Sequence, residues 1–166
     1  LMVVQNYRYM RLPRTLRRLF ASGELGRVGM IVAGTYRSQK ETARALATLA
    51  DSVLWEIAVH HLDALRYVLD QPAVRVLAQR FTLPWSGAPP GASIQLLLEF
   101  QGGARVSYCA SYDSRGHEFF ERGQEFYLRA ATDRGTLHVF HRWIVWCPKR
   151  GYPRLVRRGP RSETEE

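Results

Sequence analysis

Lysine is almost missing from this chain. Only Lys40 and Lys149 occur, so 22 of the 24 basic residues are arginine. The formal charge of +9 over 166 residues therefore rests on guanidinium groups. Such an excess suits an anionic partner such as nucleic acid or phosphate. Much of it sits in Arg14, Arg17 and Arg18 and in the closing KRGYPRLVRRGPR, where a solvated surface is the simpler reading. Nucleic acid is accordingly not an expected partner. Cysteine is equally scarce: Cys109 and Cys147 cannot build a disulfide framework, and reduced thiols in a cytoplasmic protein are expected. No apolar run reaches the roughly 20 residues that span a bilayer. The opening LMVVQNYRYM turns polar and basic without a small-residue cleavage site, so no signal peptide is expected. The chain also lacks an initial Met, which reads as a domain excised from something longer.

Catalytic signatures are mostly missing too. GELGRVG spaces its glycines by three, but it follows no strand and opens no helix, so it is a turn and not a dinucleotide fingerprint. No serine sits in a nucleophile elbow. Cys109 has no basic neighbour in sequence and reads as a small core residue. His117 lies in a polar loop. His138 and His141 stand three apart on an expected strand, hence on opposite faces, and are not a metal pair.

What is present is one helix with two unlike sides, Ser52 to Asp70. At about 100° per residue, Glu56, His60, Asp63 and Tyr67 fall on one narrow stripe. Leu54, Ile57, Ala58, Leu62, Leu65, Val68 and Leu69 cover the other side. An imidazole titrates near neutrality, and Glu56 one turn earlier can orient His60 or raise its pKa, so His60 is the candidate general acid/base. The competing reading is a surface histidine in a pair with a carboxylate. His61, between Ile57 and Leu65, reads as a packed core or helix–sheet histidine. Glu56, His60 and Asp63 have no Cys nearby and no second cluster, so no metal is expected.

Around this helix the chain reads as a strand at Met2 to Val4 running towards Tyr7 and Arg8, a helix from Pro13 to Gly23, and a strand from Val28 to Arg37. Glu41 to Ala50 is a short helix or packed loop. Asp51 or Ser52 is the expected N-cap, and the helix should stop at Asp70 because Gln71 precedes Pro72. From Ala73 the period changes from 3.6 to 2. Strands are expected at 73–83, 93–100, 105–112, 125–131 and 136–145, with turns at the proline-rich 84–91, Gly102-Gly103 and Asp133-Arg134-Gly135. The fold class is α+β, an open-faced, largely antiparallel sheet with helices packed on one face. One domain is expected over residues 1–153, with a basic then acidic tail over 154–166. Apolar residues on both sheet faces make the uncovered one a candidate dimer interface.

Three segments in this order carry a resemblance. VVQNYRYMRLPRTLRRLFASGELGRVGMIVAGTYR has an n-x-R turn, a helix and a G-x-[IL]-G-x-[VI] approach to a strand. EIAVHHLDALRYVLD is similar to a D-x-x-x-H-x-x-D helix, and FYLRAATDRGTLHVF to a late hairpin with a G-x-L strand. Together they resemble the C-terminal domain of the Gfo/Idh/MocA family, the NAD(P)-dependent sugar and inositol dehydrogenases, over roughly residues 1 to 146. The resemblance implies a substrate-binding and dimerisation domain for hydride transfer on a sugar, polyol or related hydroxyl compound. It implies that His60 moves the hydroxyl proton together with a lysine from a nucleotide-binding domain, with Glu56 where the family has Asp. It implies that Asp63, Arg8, Tyr7 and Arg37 approach the substrate. NAD or NADP would be bound mainly by that other domain, whose glycine fingerprint this chain lacks, so no turnover is expected from the chain by itself. The alternative is a stand-alone, non-catalytic domain for oligomerisation or for binding a small molecule or anion.

Overall fold

The computed structural model describes residues 5–37, 48–113, 126–140 and 143–156. Met2 to Val4, most of Glu41 to Ala50, His117, His141 and the last ten residues lie outside that set. Eight strands form one sheet: β1 Val28–Tyr36, β2 Ala73–Phe81, β3 Ser93–Phe100, β4 Arg105–Ser111, β5 Tyr127–Thr132, β6 Gly135–Phe140, β7 Trp143–Pro148 and β8 Arg154–Leu155. Their order across the sheet is β2-β3-β4-β1-β5-β6-β7-β8. Only β1 and β4 run parallel; every other neighbouring pair is antiparallel. The parallel pair is adjacent because the chain leaves β1, crosses the sheet as helix and returns through two antiparallel hairpins. This is the α+β, open-faced, largely antiparallel sheet that the pattern of periods implied.

One face carries the core. Ile31, Ala33, Val106, Tyr108, Ala110, Leu128, Ala130 and Leu137 are buried there at alternate positions. Helix α1, Arg11–Ala21, and helix α2, Val59–Leu69, cover it. Ile57, Ala58, Leu65 and Val68 come down from the second helical stretch, each large aliphatic side chain contributing about 1.5–3 kcal/mol through burial. The other face is open, with Met30, Leu77 and Leu97 more than half exposed. Gly34 lies on that side of β1. A Cβ there would collide with the Cys109 carbonyl and approach the Tyr127 hydroxyl to 2.9 Å, so the tight β1–β4 contact needs glycine.

Three expectations change. Residues Tyr7–Tyr9 are a single 3₁₀ turn, not the end of a strand. The stretch 136–145 is two strands: β6 and β7 pair from Gly135↔Pro148 to Phe140↔Trp143. The alternation runs through His141-Arg142 with no Gly, Pro or Asn to mark the break. The tail expected from residue 154 gives its first two residues to β8, where Leu155 pairs with Val145.

Candidate functional site

The helix over the sheet is not regular from end to end. Leu54–Ala58 is a π-helical turn, with the Val59 N–H reaching the Leu54 carbonyl, before α2 begins. It is entered at Asp51, whose backbone is left-handed at φ +59 and whose carboxylate takes Arg80 at 2.7 and 2.9 Å. The Asp51 carbonyl accepts from the N–H groups of Leu54 and Trp55. Neither expected side-chain N-cap forms. The far end is as expected: Asp70 caps α2 in the left-handed conformation, φ 54.

The π turn breaks the expected polar stripe. A wider turn advances by less than 100° per residue, so Glu56 is rotated away from the line through His60. Glu56 instead faces the carboxyl end of β1, where the Arg37 guanidinium lies 3.7 Å from its Oε1. His60 meets the turn at residues 5–9. Its Nδ1 is 2.7 Å from the Gln5 side-chain oxygen, and its ring stacks on Tyr7 at 4.4 Å and 16°. Asp63, one turn further on, accepts from Arg8 through both oxygens, the Nε contact being 2.7 Å. Tyr67 closes the line under Arg17, whose guanidinium sits 4.6 Å from the ring and donates to the Tyr67 carbonyl at 2.5 Å. Thus Arg8–Asp63 and Arg17–Tyr67 tie the first helix and its leading turn to α2, and the 5–9 turn is held against His60.

His61 points the other way. It is 2 % exposed, with Nδ1 2.9 Å from the Tyr108 hydroxyl and its ring 4.6 Å from that of Phe126. Burial, with His60 and Arg37 adding to it, pulls its pKa down to about 3, so it is a neutral packing histidine. His60 also titrates below the ordinary imidazole range. Burial outweighs the upward pull of Glu56 and Asp63: Glu56 acts in the expected direction, but the net shift is downward. The Tyr7 hydroxyl is pushed up to about 12 by burial, with Arg37 lowering and Glu56 raising it, and stays protonated.

The Arg37–Glu56 pair joins the end of β1 to the π turn. Thr35 and Arg37 share the core face of β1, and Tyr112 follows the end of β4 beside them, the Arg37 N–H bonding the Ser111 carbonyl at 2.8 Å. Thr35 Oγ1, Arg37 Nε, Tyr112 OH and Glu56 Oε2 are all buried with no hydrogen-bond partner among the described residues. Leaving a buried polar atom unpaired costs about 1–3 kcal/mol, so each of these atoms calls for a polar partner.

Arg37, Glu56, His60 and Tyr7 are therefore brought together, while Arg8 and Asp63 spend themselves on each other. Gln5, Thr35 and Tyr112 were not foreseen. Gln5 lies 55 positions from His60 and no spacing rule reaches it; Thr35 and Tyr112 read as ordinary alternating strand residues. No group of three His, Cys, Asp or Glu among the described residues is placed to hold a metal ion.

Comparison with known proteins adds to this geometry. Residues 14–138 match the model of the GFO/IDH/MocA C-terminal domain. The uncharacterized protein y4oX of Sinorhizobium fredii is 26% identical over 166 residues, which is 96% of this chain and 44% of that protein. An inositol dehydrogenase homolog from Azotobacter vinelandii, solved with NAD+, superimposes with a TM-score of 0.74 at 19% identity, over 93% of this chain and 42% of its own. An oxidoreductase from Agrobacterium radiobacter, solved with NAD+, L-tartaric acid and magnesium, gives a TM-score of 0.76 at 18% identity, over 93% and 45%. The chain thus spans less than half the length of the proteins it resembles. No described helix is long and apolar enough to cross a membrane.

Proposed function

This chain belongs to the GFO/IDH/MocA C-terminal domain family, and on that premise we propose that it is the substrate-binding and dimerisation half of an NAD(P)-dependent oxidoreductase acting on a sugar, polyol or related hydroxyl compound. The observation that carries the reading is the His60 ring, held by Gln5 and Tyr7 within the electrostatic reach of Glu56, which pairs with Arg37. The NAD+-bound relatives of about twice its length support the cofactor and the reaction class.

In this reading His60 accepts the proton of the substrate hydroxyl as that carbon is oxidised. Its lowered pKa keeps the ring neutral, and so able to act as a base, at neutral pH. Arg37 and Glu56 meet neighbouring substrate hydroxyls, the first as donor and the second as acceptor. Tyr7, with a hydroxyl that stays protonated, forms the wall behind the imidazole, and the Arg8–Asp63 pair fixes that wall. In this reading the dinucleotide is bound mainly by the rest of the enzyme, in the cytoplasm, and the work of this chain is to bind the substrate and take its proton. In the full-length protein, His60→Ala should lower kcat roughly 10²–10⁴-fold on a panel of sugars and polyols with NAD+ or NADP+, leaving dinucleotide affinity intact. Turnover near wild type would remove His60 from the reaction.

The open sheet face is the proposed interface with a second copy. Leu77 and Leu97 line a groove of about 450 Å³ with Ser107 and Cys109, and Met30 continues the apolar strip. Leu97→Asp should convert a dimer to monomer in sedimentation velocity; an unchanged mass would rule this face out.

A further inference from the structure

The polar partner of the His60 Nδ1 is a residue that no catalytic motif in this sequence contains. We propose that Gln5 is the positioning residue of His60: its side-chain carbonyl accepts the Nδ1–H and leaves Nε2 as the lone-pair nitrogen. That Nε2 then takes the substrate proton rests on the function proposed above; the tautomer itself does not.

Four observations converge on Gln5. The Nδ1···Oε1 separation is 2.7 Å, a short and well-formed hydrogen bond. The ring plane is set independently by Tyr7, from the same turn, so the bond direction is not free to drift. The turn is itself pinned. Tyr9 N–H and Met10 N–H close it onto the Asn6 and Tyr7 carbonyls, and Arg8 clamps it to Asp63 one helical turn past His60. Finally, the residue expected to do this work is engaged elsewhere, since Glu56 faces Arg37.

The chemistry of an amide suits the task. Free neutral histidine favours the Nε2–H form, so an Nδ1–H ring has to be imposed by a neighbour. A carboxylate would impose it but would also stabilise the imidazolium and hold the proton that a base must lack. The amide oxygen orients without that charge. The charged and titratable groups around His60 are balanced in the same sense. Glu56 and Asp63 on its own helix are each paired, with Arg37 from β1 and Arg8 from the 3₁₀ turn, and Tyr7 and His61 are neutral.

The test is the ring nitrogens themselves. Full-length protein labelled with ¹⁵N-histidine is examined by long-range proton–nitrogen correlation at a pH well above the His60 titration. Wild type should show His60 with a protonated Nδ1 and a bare Nε2. Gln5→Leu should move it to a mixture dominated by Nε2–H. Gln5→Glu should restore the Nδ1–H form and raise the His60 midpoint by about one pH unit. The His61 signals, unchanged, report that each variant is folded. A wild-type His60 in the Nε2–H form, or a Gln5→Leu variant with the wild-type tautomer, would overturn the assignment. Because none of these readings uses turnover, an inactive His60 role and a wrong tautomer are told apart.

Discussion

His60 is half-buried between Gln5 and Tyr7, whereas His61, the next residue on the same helix, is sealed against Tyr108 and Phe126. Both rings are bonded through Nδ1, and both titrate low because burial disfavours the cation. The difference lies in the surroundings: His60 feels the paired carboxylates Glu56 and Asp63, and His61 is sealed in the core. One helix thus places two histidines about 100° apart, one packed into the core and one proposed to move a proton, so that the same residue type would serve stability in one place and rate in the other.

That division can be broken by substitution. His61→Ala empties a filled site at the helix–sheet contact and strips the Tyr108 hydroxyl of its partner. It should cost about 2–4 kcal/mol in unfolding free energy, read from the denaturant midpoint of the full-length protein. His60→Ala, at a half-buried position, should stay within about 1 kcal/mol of wild type by the same measurement. If the two losses are equal, the helix does not separate the roles, and His60 is structural as well.

The sequence carried some of this division and hid the rest. His61 between Ile57 and Leu65 is a core position by helical spacing alone, and Asp70 ends the helix because Gln71 stands before a proline. The switch to period two at Ala73 and the Gly102-Gly103 turn foretold the sheet, and the order of three motifs foretold its family. The π turn had no local signal. SVLWEIA holds no Gly, Pro or other residue that marks a widened turn, and nothing in its spacing shows that Glu56, besides acting on His60, pairs with Arg37. Gln5 was invisible for a different reason: its contact spans 55 residues, and only the folded Arg8–Asp63 clamp brings that turn to the helix. The β6–β7 hairpin shows the same limit, since unbroken alternation reads as one strand.

The sharper test of the comparison is acid sensitivity. His61 has its pKa lowered to about 3 in the folded chain, against about 6.5 unfolded, so the unfolded chain binds the proton first. The stability contributed by the neutral ring is complete above about pH 6.5 and is lost as pH falls towards about 3, by at most about 1.4 kcal/mol per pH unit. His61→Phe keeps the ring-sized volume and removes the proton, so it should flatten the fall of unfolding free energy between about pH 6 and 4 by nearly one proton. His60→Phe should flatten it less, because the half-buried ring is shifted in the same direction but retains the pull of Glu56 and Asp63. The contrast requires the slopes to rank in that order. A wild-type slope in His61→Phe would mean that its ring reaches water in the folded protein, and the sealed environment that sets it apart from His60 would then be wrong.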